Sequence, residues 1–183
     1  MGLKTLFADH VGAAGRFEPQ RTNNILLFLT DGVGPLNSTT IQLSLASFPI
    51  PKRSMGIIEI GHLNEKRKFA GIPTYDDLAV VFNDYIDVDL AQILWDWSYQ
   101  VHDPRTGKTG IASTYKRDGW VSLYGPDGEI ERQYDIKGVW PSSIDPGEAD
   151  LAGEDIVRIT MTLTIDKVLI AEPFVRSGGL GTP

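Results

Sequence analysis

The residue types that most often carry chemistry are few in this chain, and their spacing does not bring them together. Arg105-Thr106-Gly107-Lys108-Thr109 has the ending of a phosphate-binding loop, but the glycine that loop needs five residues before Gly107 is replaced by His102. That motif also sits between a strand and a helix, whereas here a helical pattern precedes it and a strand pattern follows. Asp9-His10 and His102-Asp103 are halves of a possible charge relay, yet no serine stands in a Gly-x-Ser-x-Gly turn. The carboxylate pairs Asp76-Asp77 and Glu154-Asp155 suit acid–base work in principle, but adjacent acids in turns are usually only solvated. Glu148, Asp150, Glu154 and Asp155 lack the glycine and the terminal glutamate of a calcium loop. His10, His62 and His102 are the only histidines and are not at metal-ligand spacing, and cysteine is absent. The expectation is therefore a non-enzyme, with no catalytic, cofactor-binding or metal residue and no cofactor.

Composition bounds the rest. One domain over residues 1–183 is expected, with 42% hydrophobic and 22% charged residues, enough for a packed core. A net charge of −7 argues against a nucleic-acid reader, which must neutralise phosphates. The first residues lack the apolar run of a signal peptide, and no stretch approaches the ~20 apolar residues of a membrane span. A soluble protein made in the cytosol is expected.

The elements that would position any site are mostly strands. Residues 1–22 read as an arm. Residues 23–30, NNILLFLT, form an apolar run closed by Asp31-Gly32 and read as a strand. Residues 31–54 read as irregular, with one strand near Ile41–Ala46. Residues 55–63 read as a strand, Asn64–Lys68 as a solvated turn, 69–77 as a connection, and 78–82 as a strand.

One helix is expected over 88–101. Leu90, Ile93, Leu94, Trp97 and Val101 recur at spacings of three and four, with Asp87 placed to cap them. Trp95 and Tyr99 form a second face, either a wide core contact or a contact with a neighbouring subunit. Residues 120–124 and 129–137 flank Gly125-Pro126-Asp127-Gly128 as a hairpin. Val139-Trp140-Pro141 then makes a step, and 142–155 is acidic and turn-rich. Residues 156–168 alternate, with Ile159, Met161, Leu163 and Ile165 on one face and mainly threonines on the other. Residues 170–183 read as a flexible tail. The fold class is mainly β: an antiparallel sandwich or barrel with one central helix.

This order of pieces over residues 55–168 resembles the tail tube protein of contractile-tailed bacteriophages. The features that carry the likeness are Lys68-Phe69-Ala70-Gly71, the helix with Trp95-x-Trp97, the Gly125–Gly128 hairpin, the Trp140-Pro141 step and the last alternating strand. The family is similar in fold to the tube of type VI secretion systems. The resemblance implies a homo-oligomer of stacked hexameric rings, each subunit adding strands to one inter-subunit β-barrel. With about four strands in each of six subunits, ~4.8 Å apart and tilted ~45°, the barrel is about 50 Å across. The channel left is about 40 Å, wide enough for duplex DNA of about 20 Å.

It further implies a virion tail component whose partners are the sheath, baseplate and tail-terminator proteins. DNA would pass through the lumen without specific binding during ejection. Residues 117–166 hold four basic and eleven acidic side chains, an excess equal to that of the whole chain, and acids on the lumen wall would repel phosphate. The arm (1–22), the segment 31–54 and the tail (170–183) are the expected contacts between rings and with the sheath. Two alternatives share parts of this pattern: a secreted tube or effector carrier of a type VI-like system, and a monomeric β-sandwich binding module.

Overall fold

Alternation in Ile159-Thr160-Met161-Thr162-Leu163 is the strongest local signal in the sequence, and the structure builds its core around it. The computed structural model describes residues 20–30, 38–86, 89–126, 128–148 and 154–171. Eleven strands occur among them: β1 (Ile25–Leu29), β2 (Leu45–Ser47), β3 (Arg53–His62), β4 (Glu65–Tyr75), β5 (Leu78–Asn83), β6 (His102–Asp103), β7 (Lys108–Thr109), β8 (Arg117–Tyr124), β9 (Ile130–Asp145), β10 (Arg158–Thr164) and β11 (Lys167–Ile170). Three helices accompany them: α1 (Ser38–Ser44), α2 (Leu90–Val101) and α3 (Ala112–Tyr115). The main sheet is antiparallel, seven-stranded and curled into a half-barrel, in the order β1-β8-β9-β10-β5-β2, with β11 also paired to β9.

Strand β9 is long enough to serve two neighbourhoods. Its first half pairs with β8 and β11, its second half with β10, and Gly138 lies at the change. Ile159, Met161 and Leu163 of β10, with Ile165 just beyond, are buried, as alternation predicts. Leu78, Val80 and Phe82 of β5 meet them, and Leu27, Val121 and Ile136 extend the core into the β1-β8-β9 half. Helix α2 closes that core with Leu90, Leu94 and Trp97, while Ile93 and Val101 sit half-buried at the margin.

Several expectations change. Residues near Ile41–Ala46 are helix α1 followed by β2, because Ile41 reaches the core from a helical turn, and this packing outweighs the strand preference of its β-branched neighbours. Residues 65–75 are one strand, not a turn and a connection; only Leu63-Asn64 turns, with Leu63 at φ 54°. Gly71 and Pro73 are tolerated in this strand because Gly71 faces Gly56 at a bulge and, among the described residues, each strand of the two-stranded ribbon pairs along one edge only. The N-cap of α2 is Asp89, whose carboxylate accepts from Gln92 N at 3.1 Å; Asp87 lies outside the described residues.

The Trp140-Pro141 step is interior to β9, which runs on to Asp145. The last alternating run is two strands, because the chain bends at Ile165-Asp166 to leave β10 and rejoin β9 as β11. The tail begins only after that strand, since Ala171 N still donates to Gln133 O at 3.0 Å. Of the expected arm, residues 20–22 are described, and Gln20 Nε2 donates to Tyr124 O at 2.8 Å. Residues 1–19 and 172–183 lie outside the described residues.

Candidate assembly surfaces

Two of the chemistry-bearing clusters take structural roles among the described residues. Arg105–Thr109 forms the β6–β7 hairpin, with Gly107 at φ 66°. The Asp103 carboxylate accepts from Arg105 N at 2.9 Å and Thr106 Oγ1 at 3.0 Å, so it fills the turn that a phosphate would need. The Arg105 N–H leads the contacts that hold the Asp103 carboxyl below the usual range. Asp76 pairs with Lys52 at 3.1 Å on the surface. Glu154 and Asp155 are exposed on the approach to β10, and Asp150 lies outside the described residues. No group of three or more acids and histidines is placed to hold a metal among the described residues. His62 and His102 are exposed and far apart in the topology, and His10 lies outside the described residues.

Trp95 and Tyr99 do not form a wide core contact. Trp95 is 37% exposed, its ring centroid lies 5.9 Å from that of Tyr99, and the Arg105 guanidinium covers the Tyr99 ring at 5.4 Å. Arg117, nearly buried, donates to Thr114 O at 2.9 Å and Gln100 Oε1 at 2.8 Å, and so ties the end of α2 and α3 to β8. Burial pulls its pKa down from the ordinary arginine value.

The distinctive surfaces are edges and faces. The β1-β8-β9-β11 segment ends in strands that each have one partner among the described residues, so two rows of backbone groups stay open. One face of this segment packs on α2. Cross-strand register places Phe28, Trp120, Asp135 and Leu169 together on the other face. Phe28 and Trp120 stack there with centroids 4.0 Å apart. The second surface is the β3–β4 ribbon, a separate two-stranded sheet whose apolar side chains are mostly exposed. Its run Ile57-Ile58-Glu59-Ile60 reads in sequence as a strand, with nothing to say what covers it. Only its pairing shows that no third strand joins it among the described residues, which is why sequence reasoning missed it.

Asp118, on the open face, accepts from two donors. Burial opposes its ionisation, but Gly138 N at 3.1 Å and Lys137 Nζ at 3.0 Å outweigh that and hold its pKa below the ordinary value. A depressed folded-state pKa means the stabilisation is complete above the unfolded carboxylate's value of about 3.9 and is lost as pH falls through the folded value. Asp118→Asn is therefore expected to show a shallower fall in thermal midpoint than the parent between about pH 5 and about pH 3. Parallel acid slopes for the two proteins, followed by circular dichroism, contradict this assignment.

A half-barrel sheet with open outer strands, a flanking helix and a two-stranded ribbon is a fold shared with solved components of contractile injection systems. Similar chains occur in the sheath/tube terminator of the PVC extracellular contractile injection system in its extended state (TM-score 0.65, 17% identity, 86% of this chain and 99% of that one). They occur also in the PVC sheath-tube complex in the extended state (TM-score 0.61, 15% identity, 93% and 98%). No family model matches. Tail tube protein gp19 of Enterobacteria phage T4 is 32% identical over 120 residues, 61% of this chain and 72% of that protein, and the phage T6 protein matches equally. The chain belongs to the tail tube protein family of contractile-tailed phages.

Proposed function

We propose that six copies of this chain close into a ring and that rings stack into the rigid inner conduit of a tail, surrounded by a contractile sheath, through which DNA is ejected. The observation that carries this reading is the four-stranded segment with both outer strands open. Adding β11 of one copy to β1 of the next satisfies both rows of backbone groups and removes every edge around the ring. Four strands from each of six subunits give the ~50 Å barrel expected above. Such interfaces run beyond about 2,000 Å². The role is structural, not enzymatic. The sheath, baseplate and terminator proteins are its partners, and the virion tail is its location.

The helix-free face then lines the bore. By register it carries Asp118, Glu131 and Asp135 against Lys137 and Lys167, with Asp118 and Lys137 paired to each other. The negative excess is small: Asp145 ends β9 in the half that pairs with β10, and Glu148, Glu154 and Asp155 lie off the strands. Phosphate meets a slightly repulsive wall, which suits sliding rather than binding.

Strand addition has a direct test. Ala171 N points at β9, so alternation turns the Ile170 N–H toward the open edge. Ile170→Pro removes that donor and places a ring on the joining edge while leaving the β9 pairing intact. The variant is expected to fold with the parent's far-ultraviolet spectrum and to stay monomeric by sedimentation, while the parent forms rings or tubes in negative stain. Tubes from Ile170→Pro would remove β11 from the joint.

A further inference from the structure

The β3–β4 ribbon changes character at one point along its length. Every residue from Ile57 to Ala70 is exposed, whereas Ser54, Gly56, Gly71, Pro73 and Tyr75 are half-buried. The base on the near side of that point is fixed to the subunit. Tyr75 packs against the core, Asp76 N donates to Lys52 O at 3.2 Å, and the Asp76 carboxylate pairs with Lys52 Nζ at 3.1 Å. Leu78, which opens β5, is buried. The arm on the far side is held to itself. Six directly opposed pairs run from Ile57↔Ala70 to His62↔Glu65, and Glu59 pairs with Lys66 at 3.6 Å and with Lys68 at 3.5 Å.

The junction of base and arm has its own geometry. Met55 opposes Pro73 and Ile57 opposes Ala70, so Gly71 and Ile72 together stand against Gly56. Two residues against one make a bulge, which leaves one of them unpaired and interrupts the ladder. The backbones close up there. A Cβ on Gly56 would lie 3.1 Å from Ile72 O, and one on Gly71 would lie 3.1 Å from Gly56 C and O. Neither glycine has a side chain to buttress the crossing, and Met55 and Ile72 beside them are exposed. Glycine dihedrals turn at little steric cost, and a hinge forms where a few residues absorb a φ/ψ change between stiffer pieces. A third strand would resist bending, and none joins this ribbon among the described residues.

We propose that Gly56 and Gly71 form a hinge about which residues 57–70 swing as one lever on the fixed base. The arm spans about 20 Å from Ile57 to His62, so a pivot of ~20° carries its tip about 7 Å. Its direction is then set by the surface it meets and not by its own subunit, and one apolar stripe can be seated at more than one angle. The inference concerns the lone subunit, so it stands apart from the tube reading.

The chain has no cysteine, so spin labels attach only where cysteines are introduced. Ser113 on α3 serves as the reference on the body, Arg53 marks the base, Ala70 the start of the arm and Asn64 its tip; all four are exposed. Dipolar distance distributions are recorded for Ser113→Cys/Arg53→Cys, Ser113→Cys/Asn64→Cys and Ala70→Cys/Asn64→Cys, at a dilution where the chain sediments as a single subunit. The body-to-tip distribution is expected to be at least about twice as broad as the body-to-base one, while the distribution within the arm stays narrow. Deletion of Gly71 removes the extra residue and keeps the opposed pairs on either side, so it is expected to narrow the tip to the width of the base. Equal widths for base and tip in the parent overturn the hinge, whether or not the deletion variant folds. A broad distribution within the arm also overturns it, because the ribbon then bends along its whole length. A tip that stays broad in a folded deletion variant places the bend away from Gly56 and Gly71.

Discussion

Trp97→Ala is expected to lower the stability of the folded subunit by about 3–5 kcal/mol, the range for removing a fully buried large aromatic side chain. For a domain of this length that is on the order of 10 °C in thermal midpoint. Trp97 is 1% exposed and is the largest side chain buried so completely among the described residues. It leaves α2 on the same face as Leu90 and Leu94 and joins the cluster built on β5, β9 and β10. Its indole Nε1 donates to Tyr115 O at 2.8 Å, which fixes α3 beneath α2. The Tyr115 ring in turn meets Trp140 of β9 edge-on at 6.1 Å. Alanine leaves a cavity and strands a carbonyl whose donor was the indole.

Trp97→Phe separates the two effects. It keeps most of the volume and loses the donor, so about 1–2 kcal/mol is expected. Assembly stabilises whichever subunit it incorporates, so both variants are to be measured in the Ile170→Pro background, where the monomer unfolds alone. Equal midpoints for parent and Trp97→Ala there would show that α2 is not anchored through this side chain.

How much of this was legible beforehand follows from which interactions are local. The α2 face was readable because a 3.6-residue period is written into Leu90, Leu94 and Trp97 themselves, and β10 because alternation is written into residues 159–165. The Gly125–Gly128 hairpin was readable from turn chemistry, and Gly128 does take φ 83°. The misread segments depend on partners distant in sequence. Ile41 is helical because of the core it meets, not because of Thr39 and Thr40. Residues 65–75 are a strand only because β3 lies beside them; Gly71 and Pro73 argue locally for the opposite.

Surfaces were legible least. Burial and exposure of an apolar strand look alike in sequence, so a strand reading of 55–63 says nothing of the exposure of Ile58 and Ile60. The acid count of residues 117–166 was correct, but charge is assigned to a face only by register. Register puts three of those acids on the open face of the β1-β8-β9-β11 segment and sets Asp145 opposite Thr160, in the half of β9 that pairs with β10.

Gly138→Ala is expected to cost about 2–3 kcal/mol, combining a left-handed backbone strain of about 1–2 kcal/mol with a lost carboxylate contact. Gly138 has φ 67° at the point where β9 leaves β8 and β11 for β10. Two carboxylates hold that corner. Asp118 accepts from its N–H, and Asp166 packs where a side chain would begin. A Cβ at residue 138 would stand 2.1 Å from Asp166 Oδ2 and 2.6 Å from its Cγ, so Asp166 must swing out and release Lys116, now 2.6 Å away. Asp166 is also the residue at which the chain bends from β10 into β11, with its N–H donating to Lys137 O at 3.0 Å. The corner therefore sets where β11, the proposed joining edge, lies relative to β1.

A double-mutant cycle isolates the clash. Asp166→Ala removes the two closest atoms, so Gly138→Ala is expected to cost about 1 kcal/mol less in that background than in the parent. Strict additivity would mean that the backbone dihedral alone carries the penalty. In that case the carboxylate would be a bystander at the corner, and Gly138→Ala subunits would still present β11 correctly and close rings once folded.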